Sequence, residues 1–99
     1  MYSKRIVYLR TTGDIDQNSL NDFEKFKLGD LHKRKANLFL VVNGNLRAVW
    51  KTPLTHYAIE FKGDGQYQYV IMVRDRNIAE TGDMAQLQQS YDESEGWTF

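Results

Sequence analysis

Two glycine-bearing turns, Asn43-Gly44 and Gly63-Asp64-Gly65, divide residues 38–74 into four apolar-rich runs, and this pattern restricts the fold more than any other feature. Short runs of aliphatic, aromatic and β-branched residues on either side of such a turn read as β-hairpins. In the first, residues 38–42 and 46–51 flank Asn43-Gly44, the pair that suits a two-residue turn because both central positions need positive φ. That turn sets Phe39 and Val41 opposite Ala48 and Leu46, with Leu38 and Leu40 opposite Val49 and Arg47. Both faces of residues 38–42 are then largely apolar, which predicts a place inside the sheet.

The register of the second hairpin follows from segregation. A two-residue loop at Asp64-Gly65 would mix Tyr57, Ile59 and Phe61 with Gln68, Val70 and Met72. A three-residue loop groups them instead with Tyr67, Tyr69, Ile71 and Val73. A slip of one residue exchanges whole faces, so the register with the cleaner apolar side is the expected one, with Gly65 in the left-handed position. The other face then carries His56, Ala58, Glu60, Lys62, Gln66, Gln68, Val70, Met72 and Arg74, a mixed surface that is either solvated or used for binding.

Residues 5–11 read as a further strand, Ile6-Val7-Tyr8-Leu9 ending at a Thr-Thr-Gly-Asp turn. A helix follows, with Ser19 three residues before Asp22 as an approximate capping box, Leu20, Phe23 and Lys27 on one stripe, and Gly29 as its stop. Residues 30–35 add a short turn. A last helix begins at Asp83, an N-cap candidate, carries Met84, Leu87 and Tyr91 at helical spacing, and stops at Gly96. The expectation is one α+β domain over residues 1–99, ordered β-α-β-β-β-β-α, with an antiparallel-rich sheet of about five strands and both helices on one face. The helix stripe of Leu20, Phe23, Met84, Leu87 and Tyr91 would cover Tyr57, Ile59, Phe61, Tyr67, Tyr69 and Ile71, leaving Val49, Val70 and Met72 on an open face.

Length and composition bear on function mainly by exclusion. Ninety-nine residues make one domain that buries about 65% of its unfolded surface. With no cysteine, disulfides, thiolate metal sites and thiol catalysis are ruled out. No apolar run is long enough for a membrane span and the N-terminus alternates too soon for a signal peptide, so a soluble, cytoplasmic protein is expected. Net charge is zero, yet all 13 Lys and Arg fall at or before Arg76, where eight acids leave +5, while residues 77–99 hold five acids and no base.

Motifs for chemistry are sparse. Asp14-Ile15-Asp16-Gln17-Asn18 opens like a calcium loop, but Ser19 stands where glycine is needed and Lys25 where the bidentate acid belongs; an Asx-rich turn before a helix accounts for it. No metal site and no cofactor is expected, and no phosphate-cradling loop or nucleophile elbow is present. His32 and His56 are the only histidines, and a small metal-independent ribonuclease would have to use them. His32-Lys33-Arg34-Lys35 is the densest basic run. It either opposes the negative end of a helix dipole or, with Arg47, Lys51 and Arg74, contacts a phosphate backbone.

The C-terminus, residues 91–99, sets Asp92, Glu93 and Glu95 before Trp97 and Phe99. It resembles the short acidic tails, ending in Phe, of bacterial and phage single-stranded-DNA-binding proteins, which recruit partner proteins through the last ring and its carboxylate. The resemblance covers nine residues, and the body departs from that family because its first helix follows one strand rather than three. Trp97 and Phe99 could instead fold back onto the sheet to complete a small core. The leading functional expectation is a non-catalytic protein-interaction module, such as an inhibitor, immunity-type protein or accessory factor, meeting a partner through Glu60, Met72, Asp92, Glu93, Glu95, Trp97 and Phe99, with a homodimer through the open face as a variant. A nucleic-acid-binding module using Lys33, Arg34, Lys35, Arg47, Lys51 and Arg74, and the two-histidine ribonuclease, are the competing classes.

Overall fold

The computed structural model describes residues 16–29, 31–41 and 44–98. They form helix α1 (Gln17–Lys25), a 3-10 turn (Leu31–Lys33), strands β1 (Asn37–Leu40), β2 (Leu46–Lys51), β3 (Thr55–Phe61), β4 (Gln66–Val73) and β5 (Arg76–Asp83), helix α2 (Met84–Glu95) and a closing 3-10 turn (Gly96–Thr98). The five strands make one antiparallel sheet in the order β1-β2-β3-β4-β5, a meander with both helices on one face, which is the α+β class the sequence predicts. The expected strand over residues 5–11 lies outside the described residues.

The β3–β4 hairpin takes the expected register. Ile59 pairs with Tyr69 and Phe61 with Tyr67, Lys62 N–H donates to the Gln66 carbonyl, and Gly65 sits at φ +79°. Tyr57, Ile59, Phe61, Tyr67, Tyr69, Ile71 and Val73 are all buried on the helix side. Phe61 is the hub: Phe23, Phe26 and Tyr67 each meet its ring edge to face at 5.3–5.6 Å, the arrangement ring quadrupoles favour. Tyr57 stacks on Tyr91 of α2 with centroids 5.7 Å apart, and the Tyr69 hydroxyl lies 2.9 Å from Ser90 Oγ.

The first hairpin differs from expectation by one residue. Leu38 pairs with Ala48, Phe39 with Arg47 and Leu40 with Leu46. Val41 N–H bonds the Asn45 carbonyl, Gly44 N–H bonds the Val41 carbonyl, and Gly44 takes φ +88°. Gly44 thus closes a longer loop in the left-handed position rather than the second place of a two-residue turn. The slip has a physical reason: it puts Leu38 and Leu40 on the side of Leu46, Ala48 and Trp50, and moves Phe39 to the side of Arg47 and Lys51. Among the described residues β1 ends the strand order, and its residues are mostly exposed, so the interior position is not what these strands provide.

β5 is the second departure. Val73 pairs with Arg76 across Arg74-Asp75, and Arg74 adopts φ +58° without being glycine. The strand is polar and mostly exposed, which is why alternation did not mark it. α2 starts where expected, with Asp83 accepting from Gln86 N–H at 2.9 Å, and ends at Gly96, which is right-handed (φ −68°) and continues into the 3-10 turn.

α1 begins earlier than expected. Its cap is Asp16, whose carboxylate accepts from Ser19 N–H at 2.9 Å, and it ends at Lys25, well before Gly29. Ser19 is therefore not a cap; it is fully buried inside the helix. Its hydroxyl accepts from Leu46 N–H at 2.8 Å and donates to the Phe61 carbonyl. Leu46 and Phe61 are opposed at the end of the β2–β3 ladder, so one serine replaces a ladder bond and fastens α1 to both strands. Gly63 completes the junction: at φ +87° a Cβ there would stand 2.8 Å from Asn18 Cβ and 3.0 Å from Ser19 N, so only glycine fits.

Removing the Ser19 hydroxyl would orphan two buried backbone groups, each costly to leave unpaired. Ser19→Ala should lower unfolding free energy by about 2 kcal/mol in urea titration; a loss under about 0.5 kcal/mol would show that the bridge is not structural.

Candidate functional site

The face turned away from the helices is built by strand pairing. Its central row runs Asn37, Val49, Ala58, Val70, Ala79 across all five strands. One flanking row is Phe39, Arg47, Glu60, Gln68, Thr81, and the other is Lys51, His56, Met72, Asn77. Val49, Ala58 and Val70 are half-buried, while Phe39 (50%) and Met72 (41%) stand exposed on either side. Among the described residues no helix or loop covers this face. Small and branched residues at the centre with long side chains around them give a shallow, flat, apolar strip with a polar frame.

The charges on the face are partly satisfied within it. Glu60 is buried, accepting from Asn45 Nδ2 at 3.0 Å and pairing with Arg47 at 3.5 Å. Asp83, at the margin, is occupied in capping α2. Lys51 and Lys62 have no ion-pair partner among the described residues, so the charge left to the face is cationic.

Of the residues the sequence offers for partner binding, Glu60 and Met72 lie here. Asp92, Glu93 and Glu95 lie on α2, across the sheet, so the set does not form one surface. These acids are not an extended tail: they fill the last turn of a docked helix in which Ser94 is fully buried, with Asp92 accepting from Gln88 Nε2 at 2.9 Å. Trp97 is half-buried and packs against the core, with the Arg76 guanidinium 5.9 Å from its ring centre. Of the two readings of that ring, folding back onto the body describes Trp97; Phe99 lies outside the described residues.

The basic set is likewise divided. Arg47 and Lys51 are on the open face, while Lys33, Arg34 and Lys35 lie at and after the short 3-10 turn, not at the C-terminus of an α-helix. The helix-dipole account of that run therefore does not apply, since α1 ends at Lys25. The Arg34 carbonyl holds Trp50 Nε1 at 3.0 Å. Arg34 and Arg74 line one cleft. The Tyr and Phe residues of β3 and β4 point into the core, which leaves Phe39 as an exposed benzene ring on the open face.

The histidines are not brought together. His56 lies on the open face between Lys51 and Met72, whereas His32 follows the core residue Leu31 on the helix side. Its Nδ1 is buried with no hydrogen-bond partner among the described residues, so that atom is packed rather than presented to a substrate. His56 belongs to β3 and His32 to the 3-10 turn before β1, so strand pairing does not set the two side by side, as a two-histidine acid–base pair would need. Among the described residues no cluster of acids and histidines could hold a metal ion, and no helix is long and apolar enough to cross a membrane.

Phe39 is an exposed candidate of this face that the sequence pattern did not single out. Arg47 and Lys51 alternate with Leu46, Ala48 and Trp50, and the register that keeps those faces separate sets Phe39 on the side of Arg47. No family model, curated protein or solved structure matches the chain.

The helix-side tyrosines report the contrast between faces. Burial raises Tyr57, helped by Glu95; burial raises Tyr67, helped by Asp22; and burial raises Tyr69, opposed by the Ser90 hydrogen bond. A raised phenol favours the protonated native state, so this stability is complete below the unfolded value near pH 10 and is lost as pH rises through the folded values. In an alkaline titration followed by phenolate absorbance, these three should ionise after free tyrosine does, together with loss of far-ultraviolet circular dichroism. Ionisation of all the tyrosines at the ordinary value with the fold intact would contradict this packing.

Proposed function

We propose that this chain is a non-catalytic protein-interaction module that takes its partner on the open face of the sheet, in the manner of a small inhibitor, immunity-type protein or accessory factor. The observation that carries the reading is the apolar row Val49-Ala58-Val70-Ala79, flanked by exposed Phe39 and Met72, on the sheet face that no helix covers among the described residues. Exposed apolar surface of this kind, framed by polar groups, favours association with a protein. Charge decides the kind of partner. Glu60 is consumed by Arg47 and Asn45, and Lys51 and Lys62 remain, so the complementary surface is an apolar patch with an acidic rim. Phosphate-backbone binding fits less well, because the basic residues are split between the two sides of the sheet and the rings that would stack on bases are mostly in the core.

Capture from native lysate tests the proposal when it is read against variants. Met72→Glu and Lys51→Glu place acid against the acidic rim and should abolish capture of a discrete protein, with urea midpoints unchanged. Gln89→Glu, on the exposed side of α2, should leave capture intact. Capture that ignores both open-face variants, recovery of nucleic acid alone, or a dimer by light scattering that is lost on Met72→Glu would each overturn the reading.

A further inference from the structure

A concave feature lies at one end of the sheet on the helix side, apart from the open face. It is a cleft of about 300 Å³, at the lower limit of small-molecule pockets. Arg34, Arg74 and Glu95 supply its charges, and Leu54, Val73 and Tyr57 much of its wall. The lip is stiff. Thr52 and Thr55 hydroxyls lie 2.7 Å apart, and Thr52 Oγ1 accepts from the N–H groups of Leu54 and Thr55 at 3.3 and 3.0 Å. Arg74 N–H donates to the Leu54 carbonyl at 2.9 Å, which ties the β4–β5 turn to the β2–β3 turn. The back is closed by the Tyr57–Tyr91 stack.

Arg74 is the informative residue. It sits at φ +58°, a conformation that strains any side chain with a Cβ and that hairpin turns usually give to glycine or asparagine. Its contribution to the turn is made through its backbone N–H, which either of those residues would supply with less strain. What arginine adds is a cationic side chain on a residue that lines the cleft, and strained residues of this kind gather at binding sites.

We propose that this cleft binds a small monocarboxylate with an apolar body, the carboxylate between Arg34 and Arg74 and the body against Leu54, Val73 and the edge of Tyr57. Two guanidinium groups and one carboxylate leave a single positive charge, which a carboxylate balances and a phosphate dianion exceeds. The largely apolar wall selects against a bare inorganic anion for the same reason: such an ion would lose water along Leu54 and Val73 and gain nothing. This assignment stands independently of the partner proposed for the open face.

Backbone amide NMR on the full chain tests it, with phenylacetate as the probe and phenylacetamide and inorganic phosphate as separate arms. Phenylacetate should shift the amides of Thr55, Arg74 and Glu95 saturably, and phenylacetamide should not. Arg74→Asn keeps the left-handed turn and removes the charge, so affinity should fall about tenfold with the thermal midpoint unchanged or higher. Arg34→Gln, which retains the carbonyl that holds Trp50, should weaken binding similarly. Absence of saturable shifts, equal binding of the amide, displacement of phenylacetate by equimolar phosphate, or unchanged affinity in both variants would overturn the proposal.

Discussion

The strand register fixed at Gly63-Asp64-Gly65 is the constraint from which the remaining architecture follows. With three residues in that loop, Tyr57, Ile59 and Phe61 share a side with Tyr67, Tyr69, Ile71 and Val73, and seven large residues converge where two short helices can cover them. A slip of one residue would send half of these into water and bring Gln68 and Met72 under the helices. The same arithmetic leaves Ala58, Val70 and Met72 on the other side. The buried core and the open face are thus one decision made at one turn, and Gly65 at φ +79° makes the turn accessible.

α1 is tied to that turn by polar contacts as well as by its apolar side. Ser19 spans Leu46 and Phe61, Asp16 N–H donates to the Gly44 carbonyl at 2.7 Å, and Gly63 approaches Asn18 too closely for a side chain. These contacts join the two hairpins through the start of one helix, so register in either hairpin is sensed by the other. α2 is fastened differently, through the Tyr57–Tyr91 stack and the Tyr69–Ser90 hydroxyl pair. Both helices commit to the same side, and the open face is the consequence.

Legibility in the sequence was uneven for reasons that lie in particular residues. The β3–β4 hairpin and the start of α2 were readable because their apolar alternation and the Asp83 cap are strong local signals. Asn43-Gly44 misled because that pair suits two loops, and only the opposing Arg47 and Lys51 distinguish them. β5 was hidden because Asn77, Glu80 and Thr81 are exposed and its turn rests on an arginine in a conformation that local preference disfavours. Ser19 looked like a cap because a serine inside a helix ordinarily belongs at its start; its actual partners are 27 and 42 residues away. The split of the acidic and basic sets across the sheet is tertiary, and spacing does not encode it.

Among the described residues one face of the sheet carries no helix, and the proposal that it meets another protein requires that face to be open to solvent. Hydroxyl-radical footprinting of the isolated chain measures that directly. Met72 and Phe39 should be oxidised rapidly, with Trp50, Tyr57 and Tyr69 protected until the protein unfolds. Protection of Met72 and Phe39 in the isolated monomer would contradict it, because the face would then already be covered by the chain itself.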